Sequence, residues 1–324
     1  MSKFDEIKRP IEQDLSEFEP YFRKSMSSKV PLLDVITNYI YRRKGKQLRP
    51  MIVFLSAGLN GTINPSTYVA AGMIELLHTA TLIHDDVVDE AYERRGFFSL
   101  NALWRSKIAV LVGDYMLSRG LLLAIEKNEI ELLRIMSEAV KDMSEGELLQ
   151  IERSRKMDID EDTYYEIIKK KTASLLASCA ANGACSVNSS PESVQNMKDF
   201  GQYLGMAFQI KDDLFDYQPK GIIGKPTGND IKEKKLTLPL IYSLSKVSSR
   251  EQSEILKFVR NSKKNPKAVD RVVEFVQKNG GLEYTEKKML EFKSKALEVL
   301  ALYPESEYRS SLEKLTEYIV ERSK

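Results

Sequence analysis

The chain has 324 residues, of which 42% are hydrophobic and 30% are charged, as in soluble globular proteins and unlike disordered or fibrous ones. Its 49 lysines and arginines nearly balance its 47 aspartates and glutamates. That balance argues against an extended nucleic-acid-binding face, so any basic function is expected to be local.

Helical periodicity dominates the chain in sequence order. Asn64-Pro65 is a helix-start signal, and Pro191 begins a second long helix. The segments with the clearest helical periodicity are 64–92, 129–156, 191–217, 268–280 and 296–324. Breaks are expected at 42–50, 59–65, 187–191, 218–230 and 261–266. We find no alternating strand pattern and no repeat, so the pattern predicts one all-α domain, residues 1–324, with about ten or more helices.

The cysteines and the amino terminus bear on the cellular compartment. Cys179 and Cys185 lie among small residues without the spacing of a metal site, which predicts buried thiols in a reducing compartment. The first residues carry acids and no apolar signal-peptide core. The longest uncharged stretch, residues 172–191, is too rich in Asn, Gly and Ser to span a bilayer. We therefore expect a cytoplasmic protein with no transmembrane segment and no nucleic-acid partner.

Two aspartate clusters share the spacing i, i+1, i+4, each at the expected C-terminal end of a long helix. They comprise Asp85, Asp86 and Asp89, and Asp212, Asp213 and Asp216. Like charges at i and i+4 destabilise an isolated helix by roughly 0.2–0.5 kcal/mol per pair, and a helix C-terminus also repels carboxylates. A solvated helix end would explain one cluster, but two of identical spacing indicate bound cations. Hard oxygen ligands without His or Cys favour Mg²⁺, with Mn²⁺ as the alternative, and neither cluster has the loop pattern of an EF-hand.

Basic residues near these clusters indicate an anionic ligand. Each is ordinary alone, since a lysine run is commonly a solvated face. Together they fit two phosphate-rich ligands, one held through metal and one by Lys and Arg alone. These residues are Lys46, Arg49, Arg94, Arg95, Lys171, Lys225 and Lys235. A nucleotide is disfavoured because the chain has no glycine-rich phosphate loop.

These motifs, in this order, resemble those of a trans-prenyltransferase of the polyprenyl (isoprenyl) diphosphate synthase family, from about Gly45 to Leu240. The family's two aspartate-rich motifs correspond to "DDVVDEAYERRG" and to "DDLFD" followed by "GKPTGNDIKEKKLTLP", and two further motifs correspond to "GKQLRP" and "KTA". The resemblance implies an all-α, isoprenoid-synthase-type bundle around a deep central cavity, usually dimeric. It also implies the substrates, isopentenyl diphosphate and an allylic diphosphate.

The resemblance implies roles residue by residue. About three Mg²⁺ ions would bridge the protein to the allylic diphosphate. Their ligands would be Asp85, Asp89 and Asp212, completed directly or through water by Asp86, Asp213 and Asp216. The same diphosphate would be held by Arg94, Lys171 and Lys235, with Lys225 nearby. Isopentenyl diphosphate would be held by Lys46, Arg49, His78 and Arg95. Carbonyl oxygens of Lys171, Thr172 and Gln209 would stabilise the allylic cation.

The sequence departs from the family pattern at the "GKQLRP" motif. Many members have Gly-Gly-Lys-Arg where this chain has Lys44-Gly45-Lys46-Gln47. The missing arginine is expected either to weaken the isopentenyl diphosphate site or to be compensated by Lys44.

His78 has two interpretations. A lone histidine on an apolar helix is commonly a core residue. His78, however, lies two turns before Asp85 on the same helix face, so we favour a role in binding isopentenyl diphosphate. His84 points off that face and is expected to be structural.

The implied chemistry is ionisation, condensation and elimination. Metal ions on the diphosphate stabilise the charge that develops on the leaving group, and the allylic cation is attacked by the double bond of isopentenyl diphosphate. The departing diphosphate is the expected proton acceptor, since the sequence shows no obvious side-chain base. An apolar cavity that closes on substrate would exclude water.

Product length is expected to follow the residues before Asp85. In this family, a bulky aromatic four or five residues before the first aspartate stops growth early. Small residues occupy those positions here, followed by aliphatic ones deeper along the helix, which predicts a product longer than C20, as in quinone side chains. The residues are Thr81, Ala80, Leu77, Leu76 and Met73. Small residues kept only for helix packing are the alternative.

Four other functions remain as alternatives. A short-chain (C15–C20) farnesyl or geranylgeranyl diphosphate synthase would share the same motifs. A non-catalytic partner subunit typically loses one aspartate cluster, and this chain keeps both. A class I terpene cyclase normally mixes Asn, Ser or Thr with Glu in its second metal motif, unlike "DDLFD". A calcium-binding structural bundle would leave the basic residues unexplained.

Overall fold

The computed structural model describes residues 3–42, 45–94, 97–217, 228–263 and 265–322, except for the side chains of Arg94 and Pro266. The described chain is almost entirely helical, which confirms the predicted all-α class. Its helices are α1 (Lys3–Lys8), α2 (Glu12–Met26), α3 (Pro31–Tyr41), α4 (Leu48–Asn60), α5 (Pro65–Val88), α6 (Leu100–Glu126), α7 (Ile130–Lys156), α8 (Glu161–Ile168), α9 (Ser174–Ser186), α10 (Pro191–Phe215), α11 (Asn229–Lys232), α12 (Leu238–Ser245), α13 (Ser249–Asn261), α14 (Pro266–Lys278), α15 (Gly281–Leu300) and α16 (Glu307–Glu321).

Two short turns and one two-stranded hairpin interrupt the helical pattern of the described residues. A 3₁₀ turn, Arg9–Ile11, joins α1 to α2, and a π-helical turn, Lys169–Ala173, joins α8 to α9. Strands β1 (Glu93–Arg94) and β2 (Phe97–Phe98) pair antiparallel after α5. The sequence did not predict this hairpin, because two-residue strands are too short to show alternation.

Local capping explains where the helix that carries the first aspartate cluster begins. The Asn64 side chain accepts a hydrogen bond of 2.8 Å from the backbone N–H of Ser66, and Pro65 occupies the first helical position. α5 therefore begins where the sequence predicted. The predicted segment 296–324 is instead divided, because α15 ends at Leu300 and Pro304 lies in the break before α16.

The first compact unit comprises Met1–Ser137, Ser178–Lys198 and Glu305–Leu312. In it, α5 packs closely along α6 because two α6 residues are glycines. A Cβ at Gly113 would lie 2.2 Å from Nε2 of His84, and one at Gly120 would lie 3.0 Å from Cγ of Leu77. His84 Nε2 also lies 3.4 Å from the carbonyl oxygen of Val110. His84 is therefore a packing residue between two helices, as its position in the sequence predicted.

The second compact unit comprises Glu138–Ala177, Asp199–Pro304 and Glu313–Lys324. Its core is built by α8 and α10 to α16, with Ile210, Leu238 and Val272 fully buried. Close approach again depends on a glycine, because a Cβ at Gly205 on α10 would lie 2.5 Å from Cα of Ala173. This packing fixes the π-helical turn against the helix that carries the second aspartate cluster.

α6 is the helix, within the described ranges, that is long and apolar enough to cross a membrane. A single such helix is weak support for a membrane span, because core helices of soluble proteins have the same property. One face of α6 is buried against α5 through Val112 and Met116. Leu111 and Leu122 on the same helix are exposed.

Both cysteines are free thiols. Cys179 is fully buried, as predicted, and burial raises the pKa of its thiol above the usual range. Cys185 is only half-buried, which corrects the prediction for that residue, and burial raises the pKa of its thiol to about 11. Both thiols are therefore protonated at neutral pH.

Candidate active site

The first aspartate cluster lies on the last turn of α5 in the first unit. Asp89 caps the helix, and its N–H donates to the carbonyl oxygen of Asp85 over 2.8 Å. Asp85 and Asp89 are exposed on consecutive turns, whereas Asp86 is buried. The helix dipole makes this end unfavourable for carboxylates. Two exposed carboxylates there suit a site that gains a cation.

Arg49 on α4 is held by an acid that the sequence analysis missed. Its Nε donates to Oε1 of Glu75 over 2.6 Å, and its Nη2 donates to Oε2 over 3.2 Å. Both side chains are largely buried, at 19% and 14% exposed. Glu75 is the sole acid between Pro65 and Asp85, and a lone charge on an apolar helix was the available signal. This bidentate pair fixes the orientation of the guanidinium.

A cavity of about 160 Å³ lies beside this ion pair in the first unit. Arg49, Glu75 and Asp86 form its polar wall, and Tyr39 and Phe98 contribute aromatic walls. The Tyr39 hydroxyl donates a hydrogen bond of 2.7 Å to the carbonyl oxygen of Phe98, so the hairpin is tied to α3. The cavity is therefore mainly apolar with one charged side.

The other residues predicted to hold isopentenyl diphosphate are described only in part. Lys46 is exposed, with Nζ 6.0 Å from the centroid of the Phe4 ring. Gln47, which replaces the usual arginine, is left-handed (φ 55°, ψ 36°) and directly precedes α4. His78 is half-buried on α5. Arg95, and Lys44 as the possible replacement for the missing arginine, lie outside the described residues. The side chain of Arg94, which was predicted to hold the allylic diphosphate, also lies outside what the structure describes.

The residues predicted to set product length differ in their packing. Met73, Leu76, Leu77 and Ala80 are buried, and Leu76 and Ala80 belong to the hydrophobic cluster with α6. Thr81 is half-buried, and its hydroxyl donates to the carbonyl oxygen of His78 over 2.8 Å. Thr81 is therefore the position where added bulk disturbs helix packing least.

The second cluster, at the end of α10 in the second unit, gives its three aspartates three different environments. Asp212 is 41% exposed and pairs with Arg322. Asp213 is buried, and accepts hydrogen bonds from the Tyr164 hydroxyl (2.7 Å) and from Nε2 of Gln209 (2.8 Å). Asp212 is more accessible than the buried Asp213.

Asp216 acts as a cap for α11. Its carboxylate accepts hydrogen bonds from the backbone N–H groups of Asn229 (2.8 Å) and Asp230 (3.0 Å). Its backbone carbonyl also accepts from the N–H of Gly228 over 3.0 Å. Both oxygens of Asp216 are thereby engaged in fixing the segment that leads to Lys235, so its direct contribution to metal is less favoured than that of Asp212.

Burial dominates the electrostatics of this cluster. Burial and the charge of Asp230 raise the pKa of Asp213 to about 8. Burial and the charge of Asp216 raise the pKa of Asp230 to about 6. Several carboxylates held close together without a compensating cation raise one another's pKa, and a divalent cation would relieve this repulsion.

The π-helical turn holds the "KTA" residues and is enclosed by close packing. A Cβ at Gly146 on α7 would lie 2.7 Å from the backbone N of Lys171. Lys171 Nζ donates to Oε1 of Gln150 over 2.6 Å and pairs with Glu147. A π turn leaves backbone groups without their usual α-helical partners and is frequent at functional sites.

A chain of hydrogen bonds connects this turn to the second aspartate cluster. The Thr172 hydroxyl donates to Oε1 of Gln209 over 2.7 Å, and Nε2 of Gln209 donates to Oδ1 of Asp213. These residues line a cavity of about 70 Å³ together with Lys171 and Lys235. The second unit therefore brings together five residues that the sequence predicted for the site. Lys225 lies outside the described residues.

The sequence analysis missed two residues that lie near the second aspartate cluster. Asp230 lies in the quoted motif "GKPTGNDIKEKK", which was a usable signal, and it lines the same cavity. Tyr164 is a fully buried tyrosine on α8 with no distinguishing sequence context. Only the packing of α8 against α10 places its hydroxyl on Asp213.

The carboxylates present fit magnesium rather than a preformed metal centre. Among the described residues, no group of three or more His, Cys, Asp or Glu side chains is arranged to hold a metal ion. Mg²⁺ typically takes one or two carboxylates and completes its shell with water and substrate phosphates. In the first unit Asp85 and Asp89 are exposed, and in the second unit the Asp212 side chain is 41% exposed, so each motif offers one or two accessible carboxylates.

Comparisons with known proteins agree with these observations. The family model described as Polyprenyl synthetase matches residues 30–276. The chain is 35% identical over 319 residues to the all-trans-nonaprenyl-diphosphate synthase (geranyl-diphosphate specific) of Rhodobacter capsulatus, covering 98% of this chain and 97% of that protein.

Solved structures give the same result. A decaprenyl diphosphate synthase from Rhodobacter capsulatus aligns with a TM-score of 0.92 at 33% identity, covering 99% of both chains. A polyprenyl synthase from Caulobacter crescentus, complexed with calcium and isoprenyl diphosphate, aligns at 0.88 and 32% identity, covering 98% of both. A geranylgeranyl pyrophosphate synthase from Bacteroides thetaiotaomicron aligns at 0.84 and 38% identity, covering 99% of this chain and 100% of that one. The chain therefore belongs to the polyprenyl synthetase family and is a prenyltransferase.

Proposed function

We propose that the chain is a Mg²⁺-dependent trans-prenyltransferase that adds isopentenyl diphosphate to an allylic diphosphate and makes an all-trans polyprenyl diphosphate longer than C20. Quinone side chains are the proposed use of such a product. The observation that carries the proposal is that each motif ends a long helix with an accessible carboxylate: Asp85 and Asp89 are exposed, and the Asp212 side chain is 41% exposed although it pairs with Arg322. The Caulobacter relative, complexed with calcium and isoprenyl diphosphate, supports a metal-linked diphosphate.

The three exposed aspartates are proposed to bind about three Mg²⁺ ions that hold one allylic diphosphate. Bound Mg²⁺ supplies charge stabilisation for the departing diphosphate. Lys171 and Lys235 contribute positive charge on the protein side, with Arg94 and Lys225 in the same role. Asp213 and Asp216 are proposed to complete the sites indirectly, because they hold neighbouring side chains and the start of α11. Asp86, which is buried, is proposed to complete them through water.

Isopentenyl diphosphate is proposed to bind through Lys46, Arg49, His78 and Arg95. The support is the Arg49–Glu75 pair, which holds a guanidinium in a fixed orientation beside a mainly apolar cavity. The carbonyl oxygens of Lys171, Thr172 and Gln209 are proposed to stabilise the allylic cation, and the departing diphosphate takes the proton.

The long-chain product is proposed from residues of this chain. Thr81 and Ala80 are small, so nothing aromatic blocks growth four or five residues before Asp85. The nonaprenyl and decaprenyl relatives agree with that proposal. The 38% identity to a geranylgeranyl pyrophosphate synthase favours a short-chain synthase as the second candidate.

A homodimer in the cytoplasm, with the whole chain acting as one domain, completes the proposal. Its support is a set of exposed apolar residues on α6, a helix whose other face is already buried. Exposed apolar patches of this kind commonly mark protein interfaces. These residues are Leu103, Val110, Leu111, Leu122 and Ile125. Light scattering of the wild type and of Leu111→Glu tests it; a wild-type monomer would contradict it.

One assay tests the function. Purified protein is incubated with labelled isopentenyl diphosphate, Mg²⁺ and geranyl, farnesyl or geranylgeranyl diphosphate, and the products are sized. Products longer than C20 support the proposal, whereas termination at C15 or C20 supports the short-chain candidate. Asp85→Asn and Asp212→Asn are each expected to reduce turnover by at least about a hundredfold. Asp270→Asn, at an exposed position on α14, is the control.

A further inference from the structure

The last described residue of the chain is an arginine that contacts the second aspartate cluster. Arg322 directly follows α16, and its Nη2 donates to Oδ1 of Asp212 over 2.6 Å. The same nitrogen lies 3.4 Å from the carbonyl oxygen of Phe208. The remaining cluster residues, Asp213 and Asp216, have different partners.

The surroundings of Arg322 make this contact more than a surface ion pair. The side chain is only 19% exposed, and its guanidinium lies 4.0 Å from the ring centroid of Phe208 and 5.8 Å from that of Phe215. Its backbone N–H donates to the carbonyl oxygen of Tyr318 over 3.0 Å, which continues the last turn of α16. A guanidinium held this way needs a counter-ion, and Asp212 supplies it.

A divalent ion and a guanidinium repel each other when they compete for one carboxylate oxygen. We propose that Arg322 is the resident counter-ion of Asp212 in the metal-free enzyme and gives up this carboxylate when a divalent ion binds. The inference rests on the proposed function, in which Asp212 is a metal ligand. Arg322 is a positioning residue, because it holds the Asp212 side chain in place before the divalent ion binds. When the ion displaces Arg322, the C-terminal turn of α16 is released.

Manganese binding tests this directly and does not depend on turnover. Mn²⁺ is titrated into the full chain in the presence of inorganic pyrophosphate at physiological ionic strength. The free Mn²⁺ is measured by electron paramagnetic resonance. Arg322→Gln removes the competitor and is expected to tighten Mn²⁺ binding by about three- to tenfold. Arg322→Lys keeps a cation and is expected to stay near the wild type.

Lys211→Gln is the matched control. Lys211 precedes Asp212, carries the same charge, and lies over the ring of Phe215 at 5.2 Å. Loss of a nearby charge alone is expected to change Mn²⁺ affinity by less than about twofold under these conditions. Equal tightening in Lys211→Gln and Arg322→Gln would overturn the proposal, and so would weaker binding in Arg322→Gln, which would make Arg322 a supporting residue for the metal site.

Two further measurements separate the possible failures. If Asp212→Asn leaves Mn²⁺ binding unchanged, the metal-ligand role in the proposed function fails. If Asp212→Asn weakens binding while Arg322→Gln matches its control, only the present inference fails.

Hydrogen exchange of the wild type tests the release of Arg322 without a variant. Adding Mn²⁺ and pyrophosphate is expected to accelerate exchange in the peptide that contains Tyr318 and Arg322, and unchanged or slower exchange would contradict the release of Arg322.

Discussion

The hydroxyl of Tyr164 donates a hydrogen bond of 2.7 Å to Oδ2 of Asp213, and both side chains are buried in the second unit. Gln209 donates to the other oxygen of the same carboxylate. Both oxygens of Asp213 therefore accept hydrogen bonds from buried or half-buried side chains, whereas the side chain of the adjacent Asp212 is 41% exposed. The difference between Asp212 and Asp213 follows from packing and not from the motif.

Tyr164→Phe is expected to destabilise the protein by about 1–3 kcal/mol, because it leaves a buried carboxylate with one donor fewer. Turnover is also expected to fall, since Asp213 positions Gln209 and, through it, Thr172. Urea denaturation and steady-state kinetics measure both effects. Tyr165→Phe is the control, because Tyr165 donates to Glu161 at a half-buried site away from Asp213. Equal effects in the two variants would contradict a specific role for Tyr164.

Asp213 predicts a pH dependence of stability in the metal-free protein. Burial, followed by the charge of Asp230, raises the pKa of Asp213 from 3.8 to about 8. Between the two pKa values Asp213 is protonated in the folded state and ionised in the unfolded state. The stability that the protonated Asp213 contributes is therefore fully present below about pH 4 and is lost as the pH rises through about 8. The melting temperature with a chelator present is therefore expected to fall between pH 6 and pH 9.

Asp213→Asn has no such titration, so its melting temperature is expected to vary less over the same range. The difference between wild type and variant isolates the contribution of Asp213 from those of other groups. A parallel pH dependence of the two proteins would be incompatible with the raised pKa.

Glu75→Gln is expected to raise the KM for isopentenyl diphosphate by about tenfold, equivalent to about 1.4 kcal/mol, with a smaller change in kcat. The glutamine side chain has one acceptor oxygen, so it can accept from only one of the two Arg49 nitrogens. The guanidinium then loses its fixed orientation. Glu131→Gln breaks the exposed pair with Arg134, which is worth little, and serves as the control. An unchanged KM in Glu75→Gln would remove the structural support for this binding site.

Gly146→Ala is expected to reduce kcat by about tenfold or more, because the new Cβ would lie 2.7 Å from the backbone N of Lys171. The π-helical turn must then move, and the Lys171 and Thr172 groups move with it. Ser144→Ala, at an exposed position on the same helix, should leave kcat and the circular dichroism spectrum as in the wild type. Normal turnover in Gly146→Ala would show that this close approach is not required.

Thr81→Phe and Ala80→Phe are both expected to shorten the product, as measured by sizing labelled chains. Thr81→Phe is the cleaner test, since Thr81 is half-buried while Ala80 belongs to the packed cluster with α6. Ala80→Phe is therefore also expected to lower the melting temperature. An unchanged product profile in a folded Thr81→Phe enzyme would refute the proposed control of chain length.

The helix starts and the positions of the two aspartate clusters could be predicted from local sequence. The cap residue Asn64 before α5, the proline that begins α10 and the placement of both aspartate clusters at helix ends were predicted and confirmed. The division of the segment after residue 296, the hairpin after α5 and the half-buried state of Cys185 were not. The half-buried state of Cys185 depends on contacts between distant parts of the chain. The break at Pro304 and the two-residue strands are local features that a search for periodicity does not detect.

The sequence by itself determined the helices, the two carboxylate turns and the family, because capping, apolar spacing and motif order are properties of neighbouring residues. Only the tertiary structure decided which aspartate is exposed, which accepts from Tyr164 and which caps α11, since i, i+1 and i+4 are chemically identical until other helices pack around them. The partners Glu75 and Arg322 were likewise decided by packing: they lie 26 and 110 residues from the side chains they hold, and only folding brings such groups within hydrogen-bonding distance.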